Sequence, residues 1–422
     1  MRIRKIAAGV GGVVAMSAAL ALLPSSAFAD YGPSSTDVVG VGSDTLQAAG
    51  NFVADGDYTG DAGYNTAGNL NKFISVDATA DANTRLAYGT FGVGANPAAS
   101  NPCSPGTGAS QGTGNQNTTH TGDKPCVLNP TVVLRAGLSP VQRPNGSGAG
   151  YNLLKADTNG AGNGTGLVDF ARASSPRGVN ALFDSVQIGN DPLGMLTSST
   201  TNATNGLSIA QLKNIYTCTV TNWNQVGSGS GTIVPLMPQI GSGTRSFFEG
   251  QIGVTDSTLG SCVQNVEEND PEAIDASSSP ANAIEPMSQS RLFLFQGKLS
   301  NGSASGFSGY FKDPSCVGLS TATGCTGTSN TLSPNVKLWS TGVPAPTDSG
   351  TLYYPTRPLY IYFRHADINS PTIFQPGGTL NWVRTMLYNP GGATPYWCSA
   401  AGKADISASG IIPACTYTAG GP

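Results

Sequence analysis

The chain has 422 residues, of which only 11% are charged, and its formal net charge is −4 at pH 7. This acidic balance, without any run of basic residues, argues against nucleic acid or an anionic membrane surface as a partner. Because 39% of the residues are hydrophobic, the abundant glycine indicates a globular protein with long loops rather than a disordered chain.

Residues 1–29 have the pattern of a signal peptide. Arg2, Arg4 and Lys5 precede an apolar stretch over residues 6–23, and Ala-Phe-Ala at 27–29 is typical of a cleavage site. A membrane anchor is the weaker alternative, because glycines and a serine interrupt the stretch. No cysteine follows it directly, so lipid attachment there is not expected. We expect a secreted or extracytoplasmic protein whose mature chain inserts no segment into a membrane.

The eight cysteines all follow the signal peptide and fall in neighbouring couples. An even count in an oxidising compartment predicts disulfides that close local loops. Joining neighbours gives Cys103–Cys126, Cys218–Cys262, Cys316–Cys325 and Cys398–Cys415, although other pairings stay open. The sequence has no C-x-x-C and only two widely separated histidines, so we expect neither a metal site nor a cofactor.

Apolar runs and helical spacing predict alternating strands and helices along the chain. The predicted strands cover residues 37–41, 131–134, 167–172, 232–237 and 358–364. The predicted helices cover residues 46–53, 151–155, 208–216 with Ser208 as N-cap, 245–251 and 379–388. Residues 56–123, rich in Gly, Asn, Thr and Ala, are interpreted as a surface insertion. The alternation predicts an α/β fold with turns at the carboxyl ends of strands.

Three predicted turns, at residues 42–45, 146–148 and 241–244, combine glycine with serine or threonine. Glycine lets the backbone approach a ligand, hydroxyls add donors, and the first N–H groups of the following helices have no partner within the helix. Together these features predict an oxyanion site, built from Ser43, Asp44, Thr45, Ser147, Gly148, Ser242, Gly243 and Thr244. A single Gly-Ser turn in a chain this rich in both residues indicates only a loop. The position of each turn between an apolar run and a helix favours the site.

Charged residues near these turns have two interpretations each. Arg172 and Arg245 can donate to an oxyanion, or they can be ordinary surface arginines. Asp44 would repel a dianion unless it accepts a ligand proton or pairs with an arginine, and a helix N-cap is its commoner role. The carboxylates at residues 267, 268 and 270 are interpreted as an exposed acidic loop, and Trp223 as a packed turn aromatic.

Four segments of the chain resemble substrate-binding proteins of phosphate ABC transporters. They are residues 42–47 (GSDTLQ), 209–226 (IAQLKNIYTCTVTNWNQV), 233–247 (IVPLMPQIGSGTRSF) and 354–360 (YPTRPLY). They occur in that family's order and leave residues 56–123 uncovered. The resemblance implies a two-lobe type 2 periplasmic-binding-protein fold with a ligand cleft between the lobes. We place lobe 1 at residues 30–175 plus 354–422 and lobe 2 at residues 176–353.

The resemblance also implies roles for individual residues. Ser242, Gly243 and Thr244 match the phosphate-contacting turn of that family, Ser147 matches its second Gly/Ser turn, and residues 43–45 match the first. Ser174 stands where a family segment beginning at Asp169 ends in aspartate. Pro238 stands in place of a family arginine, and Ile240 in place of the aspartate that accepts the proton of hydrogen phosphate. These departures weaken a strict phosphate assignment, and Arg172 and Arg245 are the candidates to supply the lost positive charge.

The sequence therefore predicts a monomeric, non-enzymatic solute-binding protein that binds phosphate or a related small oxyanion, for uptake through an ABC permease. One alternative is a secreted interaction or adhesive protein that keeps the fold with a lost or altered ligand site. The other is a secreted phosphate-ester or cell-wall hydrolase. The chain has no G-x-S-x-G motif and almost no histidine, which argues against the hydrolase.

Overall fold

The computed structural model describes most of the chain after the predicted signal peptide. The described residues are 33–57, 62–65, 70–78, 131–138, 141–157, 166–177, 182–271, 273–274, 277–296, 298–303, 336–340, 342–376, 378–386 and 394–418. The predicted signal peptide, most of the predicted insertion and the predicted disulfides Cys103–Cys126 and Cys316–Cys325 lie outside them.

Strands and helices alternate through much of the described chain. In chain order they are β1 Val38–Gly42, α1 Gln47–Asp55, β2 Phe73–Ser75, β3 Thr131–Val132, β4 Val141–Gln142, α2 Ser147–Ala156, β5 Phe170–Ala173, β6 Phe183–Ser198, α3 Ile209–Tyr216, β7 Val234–Pro238, α4 Gly243–Ile252, β8 Gln264–Val266, β9 Ala283–Ser288, α5 Gln289–Phe295, β10 Val336–Leu338, β11 Thr356–Arg364, α6 His365–Asn369, α7 Val383–Met386, α8 Ala400–Ala408 and β12 Ile412–Thr418. Short 3-10 turns cover Trp223–Val226, Pro280–Asn282 and Tyr396–Cys398.

One long strand, β6, joins two halves of a continuous sheet. The strand order is β2-β1-β5-β11-β6-β9-β7-β8, with β10 and β12 also paired to β6. Residues 183–192 of β6 run antiparallel to β11, and residues 193–197 run antiparallel to β9. The chain passes back to the first half of the sheet beside this junction, where the Leu193 N–H donates to Pro355 O at 2.8 Å. The two passages between the halves therefore lie near Pro192 and near Pro355.

Each half of the sheet has its own apolar core, which gives the α/β fold two lobes. In the lobe that contains β1, β2, β5 and β11, fully buried Phe73, Phe170 and Trp397 pack in one cluster. In the lobe that contains β7, β8 and β9, Trp223 and Phe248 pack in another. Burial of such large aromatic side chains stabilises both lobes. The prediction that Trp223 is a packed aromatic is confirmed, since it is completely buried.

The predicted elements are mostly present, with one clear error. The N-cap at Ser208 is confirmed, because its side chain accepts from the Gln211 N–H and the Gln211 side chain bonds back to the Ser208 N–H. The helix predicted over residues 379–388 is wrong in extent: among its described residues, only Val383–Met386 is helical. Residues 379–382 form turns instead, in which the Leu380 N–H donates to Ile373 O.

Two of the predicted disulfides are confirmed. Cys218 is joined to Cys262, and Cys398 is joined to Cys415. The first closes a loop in the lobe that contains β7, and the second ties β12 to the turn before α8. In the part of the chain that the structure describes, no helix has both the length and the apolarity that crossing a membrane requires.

Candidate functional site

The turns that open α2 and α4 touch each other where the two lobes meet. The Gly148 N–H donates to Gly241 O at 2.8 Å. A Cβ built on Gly243 would lie 2.2 Å from Ser147 Oγ and 2.3 Å from Ser174 Oγ. Only glycine fits such an approach, because a methyl group would overlap with both hydroxyls. The structure thus brings the predicted turn residues of both lobes to one place.

The start of α4 has the geometry of an anion-binding helix N-terminus. Gly241 has a φ of +92°, which favours glycine, and the Ser242 side chain caps the helix by accepting from the Arg245 N–H at 3.1 Å. The capping leaves the Thr244 N–H pointing out of the helix, at the positive end of the helix dipole. The local sequence Gly-Ser-Gly-Thr is therefore what presents this N–H and the Thr244 hydroxyl to the cleft.

A carboxylate of the protein itself occupies these donors. Glu268 Oε1 accepts from the Thr244 N–H at 3.2 Å and from Thr244 Oγ1 at 2.7 Å. It also accepts from Thr45 Oγ1, on the opposite lobe, at 3.4 Å. The Glu268 N–H in turn donates to Gln239 Oε1 at 2.7 Å, which fixes the backbone that carries the carboxylate. The predicted oxyanion site therefore holds a carboxylate oxygen with donors from both lobes.

Arg357, on β11, supplies positive charge to this arrangement through two hydroxyl groups. Its Nη1 donates to Thr244 Oγ1 at 2.9 Å, and its Nη2 donates to Thr45 Oγ1 at 3.2 Å. Nε and Nη2 also donate to Asp191 Oδ2, on β6, at 3.0 and 2.8 Å. Both members of this ion pair are completely buried. Arg357 lies near the start of β11, beside the junction of the lobes. Its side chain therefore connects Asp191 on β6 with the hydroxyl groups of Thr45 and Thr244.

Further polar contacts cross between the lobes around Glu268. Asn269 Nδ2 donates to Asp44 Oδ1 and to Thr45 Oγ1, both at 3.1 Å. Asp44 also pairs with Arg291 Nε at 3.4 Å. Asp44 is therefore bound to an arginine of the other lobe, one of the roles that the sequence left open, and α1 begins without a side-chain cap. Together these contacts link the two lobes.

The interpretation of residues 267–270 as an exposed acidic loop is wrong. Glu267, Glu268 and Asp270 are each at most 2% exposed. The Glu267 carboxylate accepts from Asn145 Nδ2, on the opposite lobe, at 2.7 Å. Burial, and then the negative charge of Asp44, raise the pKa of Glu268. The sequence suggested exposure because a run of acidic residues is polar by composition. The run is buried because donors from distant segments of the chain bind it.

The two arginines predicted beside the turns make other contacts. Arg172 donates to Gly42 O at 3.2 Å, to Val76 O at 2.7 Å and to Ser75 Oγ at 2.7 Å, so it binds the end of β1 to β2 and the residue that follows. Arg245 pairs with Glu249 at 3.0 Å and also with Asp256, and it donates to Asn265 Oδ1 at 2.7 Å. Both guanidinium groups are thus engaged within their own lobe. Their assignment to the ligand remains a prediction.

Two polar side chains near the turns have buried donors without a hydrogen-bond partner among the described residues. They are Ser43 Oγ and the Nε and Nη2 groups of Arg177. Arg177 Nη2 would lie 3.4 Å from a Cβ on Gly148, and its guanidinium stacks over the Tyr151 ring at 5.9 Å. The negative charge of Glu268 acts on Arg177, although burial lowers the pKa of this guanidinium. Ser43 and Arg177 are therefore candidate donors for a ligand oxygen, because they also lie beside the predicted turns.

The residues that sequence reasoning missed here are Glu268, Arg357 and Arg177. Arg357 lies within the YPTRPLY segment that carried the family resemblance, so that segment was the available signal. Arg177 lies in the segment S-S-P-R-G at residues 174–178, beside the candidate Ser174, so its position was also an available signal. Glu268 had no such signal, because it does not lie next to a Gly/Ser turn in the chain. Among the described residues, no group of three or more His, Cys, Asp or Glu side chains has the arrangement of a metal site.

Comparison with known proteins gives one family and a set of remote structural neighbours. The family model described as a PBP superfamily domain matches residues 129–367. No curated protein sequence matches the chain. An ABC-type phosphate transport receptor from Vibrio cholerae shares 19% identity, with a TM-score of 0.38, over 63% of this chain and 85% of its own.

Two other solved structures have similar sequence identities, TM-scores and coverages. An ancestral soluble variant of the human phosphate binding protein shares 15% identity, with a TM-score of 0.36, over 66% of this chain and 85% of its own. A phosphate binding protein from Stenotrophomonas maltophilia shares 12% identity, with a TM-score of 0.33, over 63% of this chain and 81% of its own. Similarity at this level does not define a ligand.

Proposed function

Because the chain belongs to the PBP superfamily domain family, whose model matches more than half of it, we propose that it is a solute-binding protein for a small oxyanion. The ligand site is the meeting point of the turns at residues 43–45, 146–148 and 241–244. The single observation that carries the proposal is the carboxylate oxygen held there by the Thr244 N–H, the Thr244 hydroxyl and the Thr45 hydroxyl. Donors that hold one oxyanion oxygen can hold another of the same geometry.

Phosphate is the first ligand to test. The segments at residues 209–226 and 233–247 resemble phosphate-binding receptors, and the cleft combines helix N–H groups with hydroxyl donors. A phosphate oxygen accepts such hydrogen bonds without requiring a full countercharge for each. Ser43 Oγ and the Nε and Nη2 groups of Arg177, which have no hydrogen-bond partner among the described residues, then provide further donors. Delivery of phosphate to an ABC permease outside the cytoplasm, by a monomer without enzymatic activity, is the physiological role that we propose.

The binding proposal is tested by isothermal titration of the purified protein with phosphate. We expect Ser147→Ala to weaken binding by about 1–2 kcal/mol, the usual loss of one hydrogen bond to a charged group. Ser246→Ala is the control, because Ser246 is exposed on α4, the helix that follows the Gly-Ser-Gly-Thr turn, and among the described residues its hydroxyl donates to Ser242 O at 3.0 Å. Equal affinity for the parent and Ser147→Ala would remove Ser147 from the site.

A second variant tests whether Arg177 binds the ligand. We expect Arg177→Gln to weaken phosphate binding by about 1–2 kcal/mol, because it removes a charged group whose Nε and Nη2 donors have no hydrogen-bond partner among the described residues. Lys403→Gln removes the same charge from an exposed position on α8 and should leave the affinity unchanged. If both variants changed the affinity equally, the effect would be one of net charge, and Arg177 would have no place in the site.

A second candidate function follows from the same carboxylate. If Glu268 stays on its donors permanently, the fold serves interaction with another macromolecule and no small anion binds. The parent protein and its variants would then give no heat of binding with phosphate, whereas the first proposal expects saturable binding.

A further inference from the structure

Glu268 lies where an external ligand would lie. Its carboxylate oxygen accepts from the Thr244 N–H, from the Thr244 hydroxyl and from the Thr45 hydroxyl, at 3.2, 2.7 and 3.4 Å. These groups belong to two of the three turns that the sequence predicts for oxyanion binding. Because a donor hydrogen serves one strong acceptor at a time, Glu268 and an external anion cannot both use these three donors fully.

When the Glu268 carboxyl is ionised, it repels an external anion in addition to competing with that anion for donors. Glu268 is completely buried, and a charge in such surroundings interacts more strongly with its neighbours than it would in water. A phosphate oxygen placed near the Thr244 N–H would therefore be repelled until the Glu268 side chain moved away or took up a proton. Neither outcome requires the lobes to unfold, because the carboxylate is at the end of a rotatable side chain.

We propose that the Glu268 carboxylate is an internal competitor for the anion site, which an external oxyanion must displace to reach the donors of Thr244 and Thr45. This inference rests on the proposed function, since it concerns the same site. It makes Glu268 a residue that sets affinity and selects among oxyanions by charge. With Glu268 ionised the site disfavours dianions, and with Glu268 neutral this penalty is removed.

The surroundings of Glu268 determine the direction of its pH dependence. The charged groups that face it are Asp44 from the turn after β1, Arg357 from β11 and Arg177 from the segment after β5. Glu267 and Asp270 are its acidic neighbours in the chain, while Arg291 pairs with Asp44 and Asp191 pairs with Arg357. Burial and the charge of Asp44 raise the pKa of Glu268 above its ordinary value. Protonation of Glu268 as the pH falls therefore weakens the competitor, which favours the binding of external anions.

The test compares phosphate binding by the parent, Glu268→Gln and Glu267→Gln, with circular dichroism to confirm folding. Glutamine keeps the size of the side chain and removes its charge, so we expect Glu268→Gln to bind phosphate about tenfold more tightly at a pH high enough for Glu268 in the parent to be ionised. Glu267→Gln removes an equal charge from the adjacent buried residue, which bonds Asn145 and Gln239 instead of the anion donors. We expect its affinity to rise by less than about threefold.

The pH series gives an independent readout. The ratio of the association constants of Glu268→Gln and the parent cancels the ionisation of phosphate itself. We expect this ratio to fall toward one as the pH is lowered and Glu268 in the parent takes up its proton. A ratio that stays at one throughout, or an equal gain in phosphate affinity from Glu267→Gln and Glu268→Gln, overturns the proposal that Glu268 is an internal competitor.

The outcomes separate this inference from the function on which it rests. Binding by the parent without any gain in Glu268→Gln overturns the inference and leaves the oxyanion site in place. Binding by Glu268→Gln where the parent binds weakly or not at all supports both. Absence of phosphate binding in the parent, Glu268→Gln and Glu268→Ala, at every pH of the series, overturns the proposed function and the internal competitor with it.

Discussion

Replacing Arg357 with methionine is expected to lower the free energy of unfolding by about 3–5 kcal/mol, because it leaves the buried Asp191 carboxylate without its cation. Arg357 and Asp191 are both completely buried and share two hydrogen bonds. The same substitution removes the donors to the Thr45 and Thr244 hydroxyls, one on each lobe. Denaturant unfolding followed by circular dichroism measures the loss.

The double variant Arg357→Met with Asp191→Asn separates the pair from general damage to the junction. Asparagine removes the stranded charge while keeping most of the shape, so we expect the double variant to be more stable than the sum of the single losses predicts. Asp191 also accepts from Ser288 Oγ at 2.9 Å and from the Ser290 N–H at 3.0 Å, which asparagine can partly keep. Strictly additive losses, or a loss under about 1 kcal/mol for Arg357→Met, would contradict the role given to the ion pair.

The second large effect is expected at Gly150, inside α2. In a helix interior alanine is ordinarily more stable than glycine by about 1 kcal/mol. At Gly150, however, a Cβ would lie 2.5 Å from Gly42 Cα, 2.9 Å from Gly42 N and 2.9 Å from Val41 O. These are backbone atoms of β1 that cannot rotate away. We therefore expect Gly150→Ala to destabilise the protein by about 2–4 kcal/mol, measured as a lower midpoint of denaturant unfolding.

Gly250 provides the control for the sign of this effect. It lies in α4, it is exposed, and a Cβ there meets no atom within 4 Å. Gly250→Ala should stabilise the protein by about 0.5–1 kcal/mol, because only helix propensity changes. If Gly150→Ala were as stable as the parent, the close packing of α2 on β1 would be wrong, and with it the approach of the turn at residues 146–148 to the site.

The elements with strong local signals were predictable. The strand before the first turn, the Ser208-capped helix and the strand that became β11 were each expected from short apolar runs or helical spacing, and each is present. The long strand β6 was not predicted. Its residues FDSVQIGNDPLGMLTS contain two glycines and a proline, which interrupt the local pattern of a strand. It forms because β11 and β9 provide partners along its length, and those lie far away in sequence.

The candidate site also has features that the sequence predicted and features that it did not. Its Gly/Ser turns were predictable, because glycine with a hydroxyl residue between a strand and a helix is a local feature. The direction of the arginine side chains was not. Arg172 and Arg245 are close to the turns in sequence, yet their guanidinium groups bind backbone carbonyls and acidic groups within their own lobes. Side-chain direction depends on which acceptors the folded chain supplies, and sequence distance carries no information about them.

By itself, the sequence determined the α/β alternation, the position of the turns and the family resemblance, since these depend on residues that are neighbours in the chain. Only the tertiary structure decided that the acidic residues at 267, 268 and 270 are buried, that Arg357 joins the two lobes, and that Glu268 accepts the hydrogen bonds of the Thr244 N–H and hydroxyl. The physical reason is that burying a charge is favourable only when donors converge on it, and those donors come from segments separated by tens to hundreds of residues.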